Sequence, residues 1–301
     1  MDSLPLVSIL IPNYNKAPYL RETLDSVLDQ TYTNWECIIV DDHSTDNSWE
    51  ILEEYAQKDT RIKIFKRLEN RKKGGHAART YAFEMSKGEF VNWFDSDDIM
   101  IPNMIMSKLE NFKNADMVVS KLTNFGMNLK RMPSLNLELP LEKRPIKFLK
   151  GEFWIGTPLP MFKRSFLQLS NLSFNEELKR NQETEFFIRI LLRNPKIVFI
   201  EESLMFWRIH QDSKSSNYHN LTPKDQINLD FQTYWILFKE FKVKKALRFE
   251  ERLFFVKTFI YFIQYSDFKF SLRFKLFLQC LLFGDINQKV LASKSFFYRS
   301  L

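Results

Sequence analysis

The chain opens with short apolar runs separated by helical patterns. Leu6 to Ile11 (LVSILI) predicts a buried strand, closed by Pro12. From about Pro18 the apolar positions Leu20, Leu24, Val27 and Leu28 recur at helical spacing. Cys37 to Val40 predicts a second buried strand, and Asn47 to Gln57 a helix with Asp46 at its start. Ile62 to Phe65 is a third strand. Gly74 and Gly75 open a helix through Met85, which Lys87-Gly88 ends. Phe90 to Phe94 is a fourth strand, Pro102 begins another helix, and Asp116 to Val119 is a fifth strand. Strands alternating with helices predict a mostly parallel α/β sheet. Ligands of such sheets bind beyond the carboxyl ends of the strands. Pro12-Asn13, Asp41-Asp42 and the cluster Asp95-Ser96-Asp97-Asp98 all fall there.

The pattern is less regular from Lys121 to Lys150, with Pro133, Pro140 and Pro145, and predicts an excursion around the active site. Ser165 to Leu169 reads as helical, and Asn181 to Arg193 (NQETEFFIRILLR) as an amphipathic helix. Phe206 to Ser216 is polar and loop-like, and the chain after Thr222 is helical to its end. Two regions follow: an α/β domain over 1–216 and a helical region over 217–301.

Charge sharpens that division. The 301 residues carry a net charge of +7. Residues 216–301 hold 14 Lys and Arg against 7 Asp and Glu, and 15 of the 30 Phe, so the rest of the chain is neutral. Leu253 to Ile263 and Leu272 to Phe283 suit either an interfacial helix on anionic lipid or a helical subdomain with solvated lysines. No nucleic-acid-binding module accompanies the basic charge. The two cysteines, Cys37 and Cys280, form no metal-ligand spacing and suggest no disulfide framework, which points to a reducing compartment. No signal peptide is expected, since Asp2 lies before a short apolar run, and no stretch is long and apolar enough to span a bilayer.

Three carboxylates crowded after a buried strand suit a hard divalent cation, Mg²⁺ or Mn²⁺, that also binds phosphate oxygens. A run of helix-capping acids before Pro102 is the alternative, although one Asp suffices for a cap. A dinucleotide-binding domain needs a Gly-rich turn after the first strand, and this chain has no Gly before Gly74. A Walker A loop is also absent.

Taken together, VSILIPNYN, IIVDDHSTDNS, GGHAART, KGEFVNWFDSDD, NQETEFFIRIL and WRIHQDS resemble the family 2 glycosyltransferases of GT-A fold, in the family's order, from about Leu6 to Ser216. That resemblance implies inverting transfer of a sugar from a nucleotide-diphosphate donor, UDP-linked in most members, to a hydroxyl, with a divalent metal. By the same resemblance Pro12, Tyr14 and Asp42 hold the nucleotide base, and Arg79 lies near base and phosphate, followed by Thr80 where Asn is common. Asp95 contacts ribose or metal, Asp97 ligates the metal, and Asp98 is a supporting acid or cap. Glu183 matches the family's catalytic acid, here preceded by Gln182 instead of a second acid. Glu185 is a rival, but two residues on along a helix it points elsewhere. Arg208 and His210 match a late R-x-H segment near metal and diphosphate, and Trp154, Gly156 and Thr157 fall where the acceptor site is lined. The implied acceptor is a glycan or lipid-linked glycan, in surface polysaccharide synthesis; the expected location is the cytoplasm, with the cytoplasmic face of the membrane as the alternative that the basic tail leaves open. Two other readings stay open: a metal-dependent nucleotidyltransferase and a non-catalytic nucleotide-sugar-binding scaffold.

Overall fold

The structure, a computed structural model, describes residues 4–126, 140–210, 222–266 and 268–298. Its elements run β1 Val7–Asn13, α1 Ala17–Leu28, β2 Trp35–Asp41, α2 Ser48–Lys58, β3 Ile62–Lys66, α3 Gly75–Met85, β4 Phe90–Trp93, β5 Ile99–Met100 and α4 Met104–Glu110. There follow β6 Met117–Gly126, α5 Arg144–Leu149, β7 Pro160–Lys163, α6 Arg164–Leu169, α7 Gln182–Leu191 and β8 Ile197–Ile209. The helices α8 Pro223–Val243, α9 Phe249–Tyr265, α10 Phe270–Phe283 and α11 Ile286–Tyr298 complete the chain.

Two compact units result. The first comprises Met1–Leu141, Lys150–Glu177 and Arg193–Gln211; the second comprises Glu142–Leu149, Leu178–Leu192 and Asp212–Leu301. Helix α7, which carries Glu183, thus groups with the C-terminal helices.

The first unit is built on an eight-stranded sheet of order β3-β2-β1-β4-β7-β6-β8-β5. Strands β1 to β4 are parallel; β7 runs antiparallel to both β4 and β6, and β8 pairs parallel to β6. Val7, Ile9, Leu10, Ile11 and the whole of β2 are buried, the pattern of strands covered on both faces. Helix α3 packs against β1 and β2, and α2 against β3. Strand β1 does not stop at Pro12 as its sequence suggests. It continues to Asn13, because β4 pairs with it only as far as Leu10 opposite Trp93, so the missing N–H of Pro12 costs no bond on that side. Gly88 is required at the entry to β4: a Cβ there would stand 2.6 Å from the Ser8 backbone nitrogen. Gly74 turns the chain into α3 with φ of 136°.

Three strands escaped the sequence pattern. β5 is two residues long, β7 lies within a Pro-containing stretch, and β8 mixes Glu201, Glu202 and Ser203 into a 13-residue run. Phe206 to Ile209, expected as loop, is the last turn of pairing in β8 with β6. Helix α4 begins at Met104, two residues after Pro102. Residues 127–139 and 211–216, parts of the expected excursion and polar loop, lie outside the described residues.

Aromatic side chains form the core of the second unit. Phe231, Phe238 and Phe241 of α8 meet Phe255, Phe259 and Phe262 of α9, all buried, with edge-on pairs such as Phe238–Phe259 at 5.0 Å between centroids. Each contributes about 1.5–3 kcal/mol by leaving water. Most of the Phe excess on α9 is therefore core. Helices α10 and α11 differ: Phe274, Leu278, Leu282, Ile286 and Val290 are exposed. Among the described residues no helix is long and apolar enough to cross a membrane.

Candidate functional site

Parallel pairing of β2, β1 and β4 brings the three polar strand ends to one edge of the sheet. Asn13 stands opposite Asp41, and its amide donates to Asp41 Oδ2 at 2.8 Å and to Ser44 Oγ at 3.3 Å. Ser44 donates back to both Asp41 oxygens, from its backbone N–H at 2.8 Å and its hydroxyl at 2.6 Å. Asp41 is thus consumed in shaping the loop. Asp42, next along, is buried and ion-paired with Arg67, whose guanidinium also donates to the carbonyls of Leu68 and Arg71. Tyr14 lies beside Lys73, whose ammonium stands 4.9 Å from its ring centroid.

The acidic cluster follows β4, and each carboxylate has a distinct environment. Asp95 is bound by Arg79 from the first turns of α3, at 2.6 Å. Asp97 Oδ2 accepts from Lys16 Nζ at 2.6 Å and lies 3.0 Å from His210 Nε2. Burial pushes the Asp97 carboxyl up, but the Lys16 charge and the hydrogen bonds from Lys16 and His210 outweigh it and hold it below the usual range. Asp98 turns inward, fully buried, and its Oδ1 accepts the backbone N–H of Arg208 at 2.9 Å. Burial, with Asp95 and Asp97 beside it, pushes the Asp98 carboxyl well above the usual range. Like charges that would repel are therefore managed by pairing two and burying the third, whose carboxyl is pushed toward its protonated form.

The end of β8 completes the site. Arg208 donates from Nε to the Asp97 carbonyl at 2.9 Å, pairs with Glu22 on α1, and lies over the rings of Tyr19 and Phe125. His210 lies 4.5 Å from Tyr19 between ring centroids, tilted at 37°, and its buried Nδ1 has no hydrogen-bond partner among the described residues. Among the described residues no three His, Cys, Asp or Glu side chains converge to hold a metal by themselves. Asp97 and His210 form a two-donor set of oxygen and nitrogen, which suits Mn²⁺ or Mg²⁺ only when substrate oxygens complete the shell.

Structure thus gathers Asp42, Arg79, Asp95, Asp97, Arg208 and His210 at one sheet edge, with Pro12 and Tyr14 at the end of β1. Trp154 stacks on Trp207 at 6.1 Å, and Thr157 is buried. Glu183 belongs to the second unit, in the first turn of α7 and half-buried. There Asn181 donates to Asp230 Oδ1 of α8 at 2.9 Å, Arg180 lies 3.4 Å from the same oxygen, and Thr233 donates to the Arg180 carbonyl at 3.2 Å. Glu185 is buried and bound by Arg189 at 2.6 and 2.9 Å, so it serves the helix. Sequence reasoning placed Asn13 at the strand end but missed Lys16, Tyr19 and Glu22.

Known proteins resemble this chain in sequence and in fold. Residues 8–170 match the sequence pattern of Glycosyl transferase family 2. An uncharacterised glycosyltransferase of Methanocaldococcus jannaschii is 30% identical over 262 residues, covering 85% of this chain and 86% of that one. TuaG of Bacillus subtilis, a glycosyltransferase named for teichuronic acid biosynthesis, is 29% identical over 87% of this chain and 95% of its own. Among solved structures, Staphylococcus aureus TarS 1–349 in complex with UDP-GlcNAc superposes with a TM-score of 0.65 at 20% identity, covering 99% of this chain and 92% of that one. A Pyrobaculum calidifontis mannosyltransferase in complex with GDP-Man and Mn²⁺ superposes with a TM-score of 0.56 at 15% identity, covering 100% and 82%. The fold is the GT-A-like one of these enzymes.

Proposed function

From the premise that this chain belongs to glycosyl transferase family 2, we propose that it transfers a sugar from a UDP-linked donor to a hydroxyl of a glycan or lipid-linked glycan, with inversion, in the synthesis of a surface polysaccharide. One observation carries the reading: Asp97 and His210 stand 3.0 Å apart at the edge of the sheet where three strand-end motifs converge.

The strand ends receive the nucleotide. Asp42, held by Arg67, presents its loop to the base with Pro12 and Tyr14, and Arg79 with Asp95 flanks ribose and phosphate. Asp97 and His210 would hold a divalent cation, Mn²⁺ or Mg²⁺, which would supply positive charge to offset that of the departing nucleoside diphosphate. Arg208 adds a fixed positive charge beside it. Glu183 takes the proton of the acceptor hydroxyl as its oxygen bonds to the anomeric carbon and the bond to the diphosphate breaks. A single displacement inverts the anomeric centre. The nucleotidyltransferase reading would leave Glu183 without a role. A UDP-sugar-bound fold relative and a polysaccharide-named sequence relative support the donor and the pathway class.

A membrane-facing position is the second part of this reading. It is supported by the exposed apolar residues of α10 and α11, among which the exposed charges Lys275 and Lys294 are basic.

The test is calorimetric titration of UDP in Mn²⁺ and in EDTA, with wild type and Asp97→Ala. Metal-dependent binding that weakens strongly in the variant is expected. Equal affinity in all four combinations would overturn the metal role.

A further inference from the structure

Resting on the donor site just described, we propose that Lys16 is a placeholder cation: its ammonium occupies the Asp97 oxygen until a metal–nucleotide pair arrives, then moves onto the donor diphosphate. The geometry is direct. Lys16 Nζ stands 2.6 Å from Asp97 Oδ2 and 3.3 Å from His210 Nε2, and these two donor atoms are themselves 3.0 Å apart. A divalent cation bridging Asp97 and His210 would meet the ammonium at the same oxygen. Like charges cannot share that point, so binding of one displaces the other.

The local structure lets the side chain move while its backbone stays. Lys16 donates its N–H to Ser48 Oγ at 3.0 Å, the Ala17 N–H is held by Asp46 Oδ2 at 3.0 Å, and the Lys16 carbonyl accepts from Leu20 at 2.9 Å as α1 begins. The root of the side chain is thereby fixed at the sheet edge. Beyond it lies a flexible four-carbon stem with a compact charge, able to turn from one oxygen to another. Arg208 has no such freedom, since its guanidinium is bound to Glu22 and to the Asp97 carbonyl.

Two consequences follow for the order of binding. Without nucleotide, Asp97 is already satisfied by a positive charge, and among the described residues no third carboxylate or imidazole joins Asp97 and His210 to favour a metal. With nucleotide, the diphosphate offers ligands to the metal and an anionic partner to the released ammonium. Metal uptake is therefore tied to donor uptake, and free metal alone does not load the site.

The experiment measures free Mn²⁺ by electron paramagnetic resonance during titration of the full chain, with and without saturating UDP. Wild type, Lys16→Met and Lys16→Arg are compared, with Lys16→Gln as a second neutral variant should Met disturb folding. Without UDP, the neutral variants are expected to bind Mn²⁺ about tenfold or more tightly than wild type, the scale of removing a like charge within a few ångströms. Lys16→Arg should stay with wild type. With UDP, the gap should close, and UDP affinity in EDTA should fall in the neutral variants only. Equal Mn²⁺ affinity of wild type and neutral variants without UDP would overturn the placeholder role and leave the metal site standing. An absence of Mn²⁺ binding in every protein even with UDP would remove the metal reading, and this inference with it.

Discussion

The backbone N–H of Arg208 donates to Asp98 Oδ1 at 2.9 Å, joining residues 110 positions apart in the chain. This bond sets the end of β8 against the acidic cluster and so determines where Arg208 and His210 stand relative to Asp97. Asp98 does this from a fully buried position with its carboxyl pushed well above the usual range.

Asp98→Asn should therefore fold as well as wild type at neutral pH, because an amide oxygen still accepts from Arg208. Asp98→Ala leaves that N–H unpaired in the interior and should cost about 1–3 kcal/mol. The folded state of wild type binds a proton that the unfolded chain releases, so this group's contribution to stability is lost as pH rises from the ordinary carboxylate range through the raised value. Urea melts of the three proteins at several pH values check both points; a shallower pH dependence is expected for Asn.

Catalysis and binding should separate on α7. Glu183→Gln is expected to keep UDP affinity and lose transfer by about 10²-fold or more. Glu185→Gln removes a charged partner of Arg189 and should lower the melting temperature while the folded fraction still turns over. Normal turnover in the first variant, with a folded but inactive second, would move the base two residues along.

Lys108 offers a stability prediction away from the site. It is fully buried, donates to Asn92 Oδ1 at 2.8 Å, and burial depresses its pKa well below the ordinary lysine value. Between that depressed value and about 10.4, the unfolded chain binds the proton that the folded one refuses, so stability should rise with pH. Lys108→Met should flatten the rise. Parallel pH slopes for the two proteins in denaturant melts would exclude this lysine as its source.

Binding to lipid is expected to be carried by the exposed face of α10 and α11. Co-sedimentation with anionic vesicles should weaken as salt rises, since each Lys near such a surface contributes roughly 1 kcal/mol. Leu278→Ser with Leu282→Ser should reduce the salt-resistant remainder. A full-length protein indifferent to anionic vesicles would remove the membrane-facing part of the proposal.

What the sequence made legible was local and short-range. β1, β2 and β4 read clearly because burial on both faces leaves mostly apolar residues, with Ser8, Glu36 and Asn92 the buried polar exceptions before the strand ends that marked the site. β8 did not, because its exposed middle carries Glu201 and Glu202 and matches neither a buried nor an alternating pattern. The placement of His210 and Arg208 beside Asp97 follows from the pairing of β8 with β6, a long-range contact with no local signature. Lys16 was invisible for the same reason: its partner is 81 residues away, and nothing about a lysine after Asn15 announces a half-buried carboxylate. The Phe-rich helices were read correctly as helices. Which of their faces is core required the packing itself.

The tie from Asp230 and Thr233 to Arg180 and Asn181 makes the tail more than an appendage. A chain cut before α8 loses the partners that fix the first turn of α7, yet keeps every strand end of the sheet. Such a fragment is predicted to recognise donor without spending it. Exchanging α8 for another relative's would then keep Glu183 in place and replace only the side chains that brace its turn.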